Sequence, residues 1–357
     1  MKHSILARSL LLLCVAAGTL AGCAPVTQRP AVEDKAIAEE ARKQRELAWQ
    51  DLQEDLARLY RVSYPILARG ANFCEDKVRF SIGVRIGNAQ GVAKEFRETA
   101  ARLAGLRDEL QVIQVAPGSP AERAGLREKD IILAVEGKST QSGEGAREKL
   151  AAALEEAAKT RKQLDFKIRR GSAEQVLRIE LEPVCDYPVV VNSADAINAF
   201  ADGKQVAVTR GMLRFVRDDL ELAVVVGHEL AHNTMGHIRK QMGNAFLGTI
   251  LDVLAASRGV NTQGAFGNIA TMVFSKDFEA EADYAGLYFT ARAGYEIDRA
   301  PNFWRRMAAA NPGGIQQRGF GASHPSTPER FLALEKIAEE IKAKKTAGKD
   351  LAPQLQK

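Results

Sequence analysis

The sequence predicts an α+β protein, with a β-rich module preceding or inserted into a mostly helical domain. Three observations carry this. The stretch VIQVAPGSPAERAGLREKDIILAVEG (112–137) runs strand, turn, short helix, Gly-Leu break and strand; two alternating strands, QLDFKIRR and EQVLRIELE, follow, joined by Gly171-Ser172. Residues 36–60 are rich in Ala, Glu, Arg, Gln and Leu without Gly or Pro, and read as a helix. Residues 186–340 read as mostly helical after an initial pair of strands, and three of the chain's five histidines fall within 228–237.

At 357 residues there is room for two domains of ordinary size. A hydrophobic fraction of 46% with 27% charged residues is globular, which excludes a disordered, collagen-like or polytopic membrane chain. The net charge of +5 is spread without a basic block, so no nucleic-acid partner is expected.

Residues 1–22 read as a secretory signal: Lys2 and Arg8 precede an apolar run at 10–17, too short and too early for a membrane span. Leu20-Ala21-Gly22-Cys23 resembles the bacterial lipobox, which implies a lipidated Cys23, a polar tether over 23–35 and a membrane-surface anchor. With Ala24 after the cysteine, the resemblance implies a periplasmic protein on the outer membrane of a Gram-negative bacterium. Cys14 leaves with the signal. Cys74 and Cys185 remain as a pair in an oxidising compartment; two separately buried thiols are the alternative to a disulfide. A bridge would close a loop of about 110 residues, worth on the order of 4–5 kcal/mol in the chain-entropy account.

In the helix at 36–60, Ala41, Ala48, Trp49, Leu52, Leu56 and Leu59 share one stripe, with Leu47 off it. Residues 36–75 are therefore expected to pack on the main helical domain rather than on a coiled-coil partner. In the β-rich module, Pro117-Gly118-Ser119-Pro120 supplies a turn, Gly125 ends a short helix, and a further helix is expected near 145–158. Over 76–184 this resembles a PDZ domain of the bacterial protease-associated kind. The resemblance implies a β-barrel-like module that takes a peptide strand at a sheet edge. Ser81, Ile82, Gly83 and Val84 in FSIGVRIG (80–87) are the candidate loop for the peptide carboxylate; ordinary strand sequence is the alternative.

His228-Glu229-Leu230-Ala231-His232 lies in an apolar helical pattern with Asp218 or Asp219 at its N-cap. Two histidines four apart share a helix face and can reach one ion. Glu229, rotated about 100° from His228, can reach water there without ligating. The metzincin spacing is ruled out, since the positions it needs are Met235 and Ile238. A carboxylate on a second helix is the next candidate. SKDFEAEADYAGLYFTARAG (275–294) offers Ser275 as cap, Gly294 as stop, and Glu279 and Asp283 on one face, with Glu281 about 200° from Glu279.

Glu-x-x-x-Asp downstream of His-Glu-x-x-His resembles the HtpX-type metalloendopeptidases, relatives of the CAAX prenyl endopeptidases. VNSADAINAFADGKQVAVTRGML (191–213) and SHPSTPERF (323–331) are similar to further stretches of that family. The resemblance implies a zincin-type domain over 185–340 with one Zn2+ per chain. It implies His228, His232 and Glu279 as ligands, Glu229 as catalytic base, and Asp283 orienting His228. The substrates are then proteins or peptides. QVAVTRG (205–211) is a candidate edge strand for substrate pairing. His237, about 140° from His232 on an unbroken helix, is expected to make a structural hydrogen bond at the helix end. His324, on a loop before Pro325, is expected to donate to the oxyanion or to occupy the open metal position at rest, against the alternative of a surface loop residue. The apolar segments 245–256 and 265–274 are too short for membrane spans, and 341–357 reads as a polar tail.

The leading reading is a periplasmic, membrane-anchored zinc endopeptidase acting on envelope proteins in quality control. The alternative is a PDZ-bearing lipoprotein chaperone or assembly adaptor with little or no proteolysis.

Overall fold

The computed structural model of the chain describes residues 30–240, 276–310, 324 and 328–354. The signal region with Cys23, the segments 245–256 and 265–274, and Ser275 lie outside the described residues. Residues up to Glu46 form one compact unit and Leu47–Lys357 another.

Helix α1 spans Asp34–Arg69. Its first turns carry an exposed Arg42–Glu39 pair at 3.2 Å, the i,i+3 spacing that supports a solvated helix. From Leu47 on, Trp49 and Leu59 are buried and Leu52 and Leu56 half-buried, while Leu47 is 61% exposed. Ala48 is exposed, so the apolar stripe is narrower than the sequence pattern suggests. The helix also runs past the expected end at residue 60, through Pro65. An internal proline costs about 3 kcal/mol, but burying Val62, Tyr64, Ile66 and Leu67 returns roughly 1.5–3 kcal/mol for each large side chain.

The module after α1 begins with β1 (Val78–Ser81) and β2 (Val84–Gly87), followed by α2 (Arg97–Leu103) and β3 (Gln111–Val115). Then come α3 (Pro120–Arg123), β4 (Ile131–Val135), β5 (Lys138–Ser139), α4 (Ala146–Ala158), β6 (Gln163–Arg170) and β7 (Ala173–Glu180). Its sheet runs β2-β3-β4-β6-β7, with β5 on β4. One core holds Leu110, Val112, Ile132, Leu164, Phe166, Ile168 and Ile179. Ser119 caps α3 by accepting from Glu122 N–H, and Gly125 takes φ +81 at its end.

Strand β8 (Glu182–Cys185) returns antiparallel to β1, Val78 facing Cys185, so the module's entry and exit strands are paired. Cys74 and Cys185 form a disulfide with Cα atoms 5.6 Å apart, across 111 residues of sequence. It ties the end of α1 to the exit of the module. Replacing both cysteines by alanine should lower stability by about 4–5 kcal/mol, because the unfolded chain regains the entropy of that loop. Urea melts without reductant check this, and an unchanged midpoint would contradict it.

Three strands, not two, open the following region: β9 (Val189–Asn192), β10 (Ala199–Ala201) and β11 (Val206–Thr209). Their order is β10-β11-β9. The expectation that 205–211 forms an edge strand is therefore corrected. Both sides of β11 are paired, antiparallel to β10 and parallel to β9, and its backbone has no open side for a substrate. Among the described strands the edges of this sheet are β10 and β9.

Helices α5 (Arg210–Phe215), α6 (Asp219–Thr234), α7 (Lys276–Arg292), α8 (Ala300–Ala310) and α9 (Pro328–Thr346) complete the described chain. Among the described residues, no helix is long and apolar enough to cross a membrane. The expected polar tail starts instead as the last turns of α9, with Ile341 buried. Past α9, Ala352 accepts from Lys344 Nζ and Gln354 N–H donates to Tyr284. The lower part of α1 packs against this region: Arg58 and Arg61 meet Asp219, and Arg69 donates to Ala293 O.

Candidate metal centre

Helix α6 starts where a carboxylate can cap it: Asp218 accepts from Glu221 N–H at 3.0 Å. Its apolar stretch is buried throughout, and it carries His228, Glu229 and His232 into the interior. Helix α7 crosses it at two glycines. A Cβ on Gly286 would lie 2.8 Å from His228 Cα, and one on Gly227 would lie 2.6 Å from Gly286 O. Only glycine lets the backbones come this close, and Thr290 adds a bond to Ala223 O. This crossing brings Glu279 and Asp283 beside the histidines.

Four donor groups meet there. His228, His232, Glu279 and His324 are all buried, with one candidate atom from each lying within 4.8 Å of the others. His228 Nε2 is 3.1 Å from His232 Nε2 and 3.2 Å from His324 Nδ1. Glu279 Oε1 is 2.9 Å from His324 Nδ1 and 3.3 Å from His232 Nε2. A tetrahedral ion with ligands about 2.0–2.1 Å away has edges of roughly 3.3–3.4 Å. The spacings fit that figure closely enough for small adjustments to seat an ion.

The electrostatics agree. Burial pushes His232 down to about 4 and also lowers His228, against the pull of Glu279, so both rings are neutral and offer lone pairs. Burial alone would raise Glu279, but His324, Arg330 and His232 hold it well below the carboxylate range. Burial likewise opposes the charge on Asp283, and Arg330 overrides it. The carboxylates Glu279 and Glu229 outweigh burial at His324 and raise it to about 9. A dense group of buried lone pairs and negative charge is what a divalent cation satisfies.

Glu229 stands to one side of this group. Its Oε1 is 3.3 Å from His324 Nε2, and its Oε2 is buried without a hydrogen-bond partner among the described residues. Asp283 Oδ1 lies 3.0 Å from His228 Nδ1, within reach but off the ring's N–H direction. The structure places His324 in the fourth corner rather than on the surface. His237 is not at an undisturbed helix end. The helix breaks at Met235, Gly236 takes φ +66, and His237 swings back to 3.0 Å from His232 Nδ1. The 140° estimate assumed an unbroken helix.

Three participants escaped the sequence reading. Arg330 grips Asp283 through Nε and Nη2, at 2.5 and 2.8 Å, and reaches Glu279 at 2.9 Å. Trp304 on α8 lies under both Arg330 and His228, with contacts at 4.4 and 4.9 Å. Glu281, on another face of α7 from Glu279, meets His237 at 2.9 Å. Arg330 falls in a stretch already picked out by resemblance, and its spacing from His324 was the available signal.

In the module, Ser81, Ile82, Gly83 and Val84 lie at the β1–β2 junction. Gly83 takes φ +81 and its N–H donates to Ser81 Oγ, while Ile82 O accepts from Ala121. A Cβ on Gly83 would meet Ser119 and Tyr64, so the loop is packed against α1.

Paired imidazoles one helical turn apart, a carboxylate beside the first and another from a crossing helix make a group that could hold a metal ion. Residues 161–338 match the model of peptidase family M48, and 111–170 match that of a PDZ domain. The chain thus carries a region similar to peptidase family M48 beside one similar to a PDZ domain. It is similar to the mitochondrial metalloendopeptidase OMA1 of Arabidopsis thaliana (32% identity, covering 43% of this chain and 32% of that one). It is also similar to OMA1 of Schizosaccharomyces pombe (30%, covering 42% and 45%) and to the beta-barrel assembly-enhancing protease of Yersinia pestis (27%, covering 43% and 35%). The chain spans less than half the length of each of these relatives. A solved PDZ domain of HtrA3 with a phage-derived ligand aligns at 25% identity over 30% of this chain and 88% of that one, with a TM-score of 0.22.

Proposed function

We propose that this chain is a zinc endopeptidase of the bacterial envelope, held to a membrane by lipid on Cys23, that cleaves envelope proteins in quality control. The observation that carries the reading is the four buried donors at tetrahedral spacing beside Glu229. The Yersinia relative's name, a beta-barrel assembly-enhancing protease, supports the envelope setting. The lipobox-like Leu-Ala-Gly-Cys supports the anchor. The HtpX-type pattern of Glu279 and Asp283 belongs to the same reading.

His228, His232 and Glu279 would hold the zinc. When bound, it supplies Lewis acidity, making water more acidic and polarising a peptide carbonyl. Glu229 takes the proton from the attacking water and returns it to the leaving amine. Asp283 keeps His228 turned toward the centre, and Arg330 keeps Asp283 in place. The open edge of β10 is where a substrate backbone can pair. The β2 edge of the PDZ sheet, beside Ser81, Ile82, Gly83 and Val84, is where a peptide terminus would dock.

His324 acts as a gate in this scheme, since it fills the corner that substrate must enter. His324→Ala should speed casein cleavage several-fold with zinc content unchanged; a fall in rate would make His324 a donor to the oxyanion instead. The whole reading is tested by metal analysis of protein purified without chelator, together with casein cleavage. One zinc per chain is expected, with activity lost on chelation and restored by zinc. Protein without zinc would favour a chaperone or adaptor.

A further inference from the structure

The second histidine of the helix motif has a support of its own, built from residues outside the ligand set. His237 is fully buried, and its Nδ1 lies 3.0 Å from His232 Nδ1 while its Nε2 lies 2.9 Å from Glu281 Oε2. Its ring is clamped from the side by Phe278, stacked at 4.5 Å and 10°. The break at Gly236 makes this contact possible, because an intact helix would point His237 elsewhere.

With His237 neutral, these contacts are matched when the protons run one way. A carboxylate only accepts, so His237 Nε2 carries the proton facing Glu281. A neutral imidazole has one such proton, so His237 Nδ1 presents a lone pair. His232 must then donate from Nδ1, which leaves the lone pair of His232 on Nε2, the atom facing His228 and Glu279. With the opposite tautomer, a proton would sit where the cation has to be.

We propose that His237 and Glu281 are a positioning pair that fixes the tautomer and ring orientation of His232 for metal binding. The proposal rests on the zinc reading above. Helix α7 then serves the centre with three carboxylates: Glu279 directly, Asp283 through His228, and Glu281 through His237 and His232. The two motif histidines are supported differently, one by a carboxylate alone and the other by a carboxylate acting across a second imidazole. The carboxylate–histidine support of a metal ligand is a general device, and here it is one residue longer.

The test uses the full chain, chelator-treated and labelled with 15N-histidine. Long-range 15N–1H correlation should show His232 protonated at Nδ1; a proton on its Nε2 overturns the proposal. Zinc dissociation constants are then measured by competition with a chromophoric chelator. His237→Phe keeps an aromatic ring against Phe278 but cannot accept from His232, and should weaken zinc binding by about 10–100-fold. Glu281→Ala, at a side chain 42% exposed, should weaken it less, in the same direction, without disturbing the fold. Melts of the chelator-treated proteins separate lost support from lost structure; if His237→Phe does not fold, Glu281→Ala decides. If wild type binds one zinc and the folded variants match it within twofold, the pair has no positioning role and the zinc reading stands. If wild type binds none, the zinc reading fails and this pair's role fails with it.

Discussion

Glu229→Gln is expected to remove proteolysis while leaving the metal in place. Glu229 is buried on α6, outside the four-donor group, with one oxygen 3.3 Å from His324 Nε2 and the other without a hydrogen-bond partner among the described residues. Glutamine has the same size and can still accept from His324, but it cannot take a proton from water. A general base contributes typically 10²–10⁴-fold, so kcat/KM for casein should fall by about that factor. Zinc content should stay at the wild-type value, and the melting temperature should not fall, because the change removes a buried charge without opening a cavity. The pairing of readouts matters. Lost activity with lost zinc would make Glu229 a ligand, whereas activity within threefold of wild type would mean another group takes the proton. The inactive variant would also retain uncut substrate, and the proteins it captures from the envelope would identify what the enzyme processes.

Much of this centre was legible because helices translate spacing into placement. His228 and His232 lie four apart, Glu279 and Asp283 lie four apart, and the caps at Asp218 and Gly294 mark where each helix starts or stops. The β-rich module was legible for a similar reason: the turns at 117–120 and 171–172 punctuate alternating strands. What spacing cannot show is where a chain departs from the ideal element. Pro65 lies inside α1, past the expected end at residue 60, and the burial on either side of it outweighs its cost. Gly236 turns His237, expected to make a structural hydrogen bond at the helix end, back into a neighbour of His232.

Pairing between distant segments was equally hidden. Nothing local distinguishes β11 as a central strand, because its partners β9 and β10 are set by tertiary contacts. The glycines at 227 and 286 give no local sign that together they are the crossing that assembles the site. Arg330 gave the weakest signal: one arginine among many, whose role appears only when α9 is folded against α7.

Arg330→Met is expected to be among the most destabilising substitutions in the chain. The guanidinium is buried, bidentate on Asp283, in contact with Glu279, and stacked over Trp304. Methionine fills similar space but leaves two buried carboxylates without that cation. Breaking a buried pair in this way costs about 3–5 kcal/mol. The pH dependence identifies the cause. In chelator-treated wild type, Asp283 and Glu279 titrate below the ordinary carboxylate values of roughly 4. They therefore contribute stability above about pH 4, and that stability is lost as pH falls through their lowered values. His324, raised to about 9, works in the other direction: its share is complete below about pH 6.5 and fades as pH rises through 9. Arg330→Met removes much of the attraction that keeps the carboxylates charged, so its stability deficit should be largest near neutrality and shrink toward pH 3. Urea melts of both chelator-treated proteins between pH 3 and 9 measure this. Equal midpoints at pH 7 would remove Arg330 from the centre's support. A deficit that grows in acid would mean that some group other than the guanidinium holds Asp283 and Glu279 in their charged form.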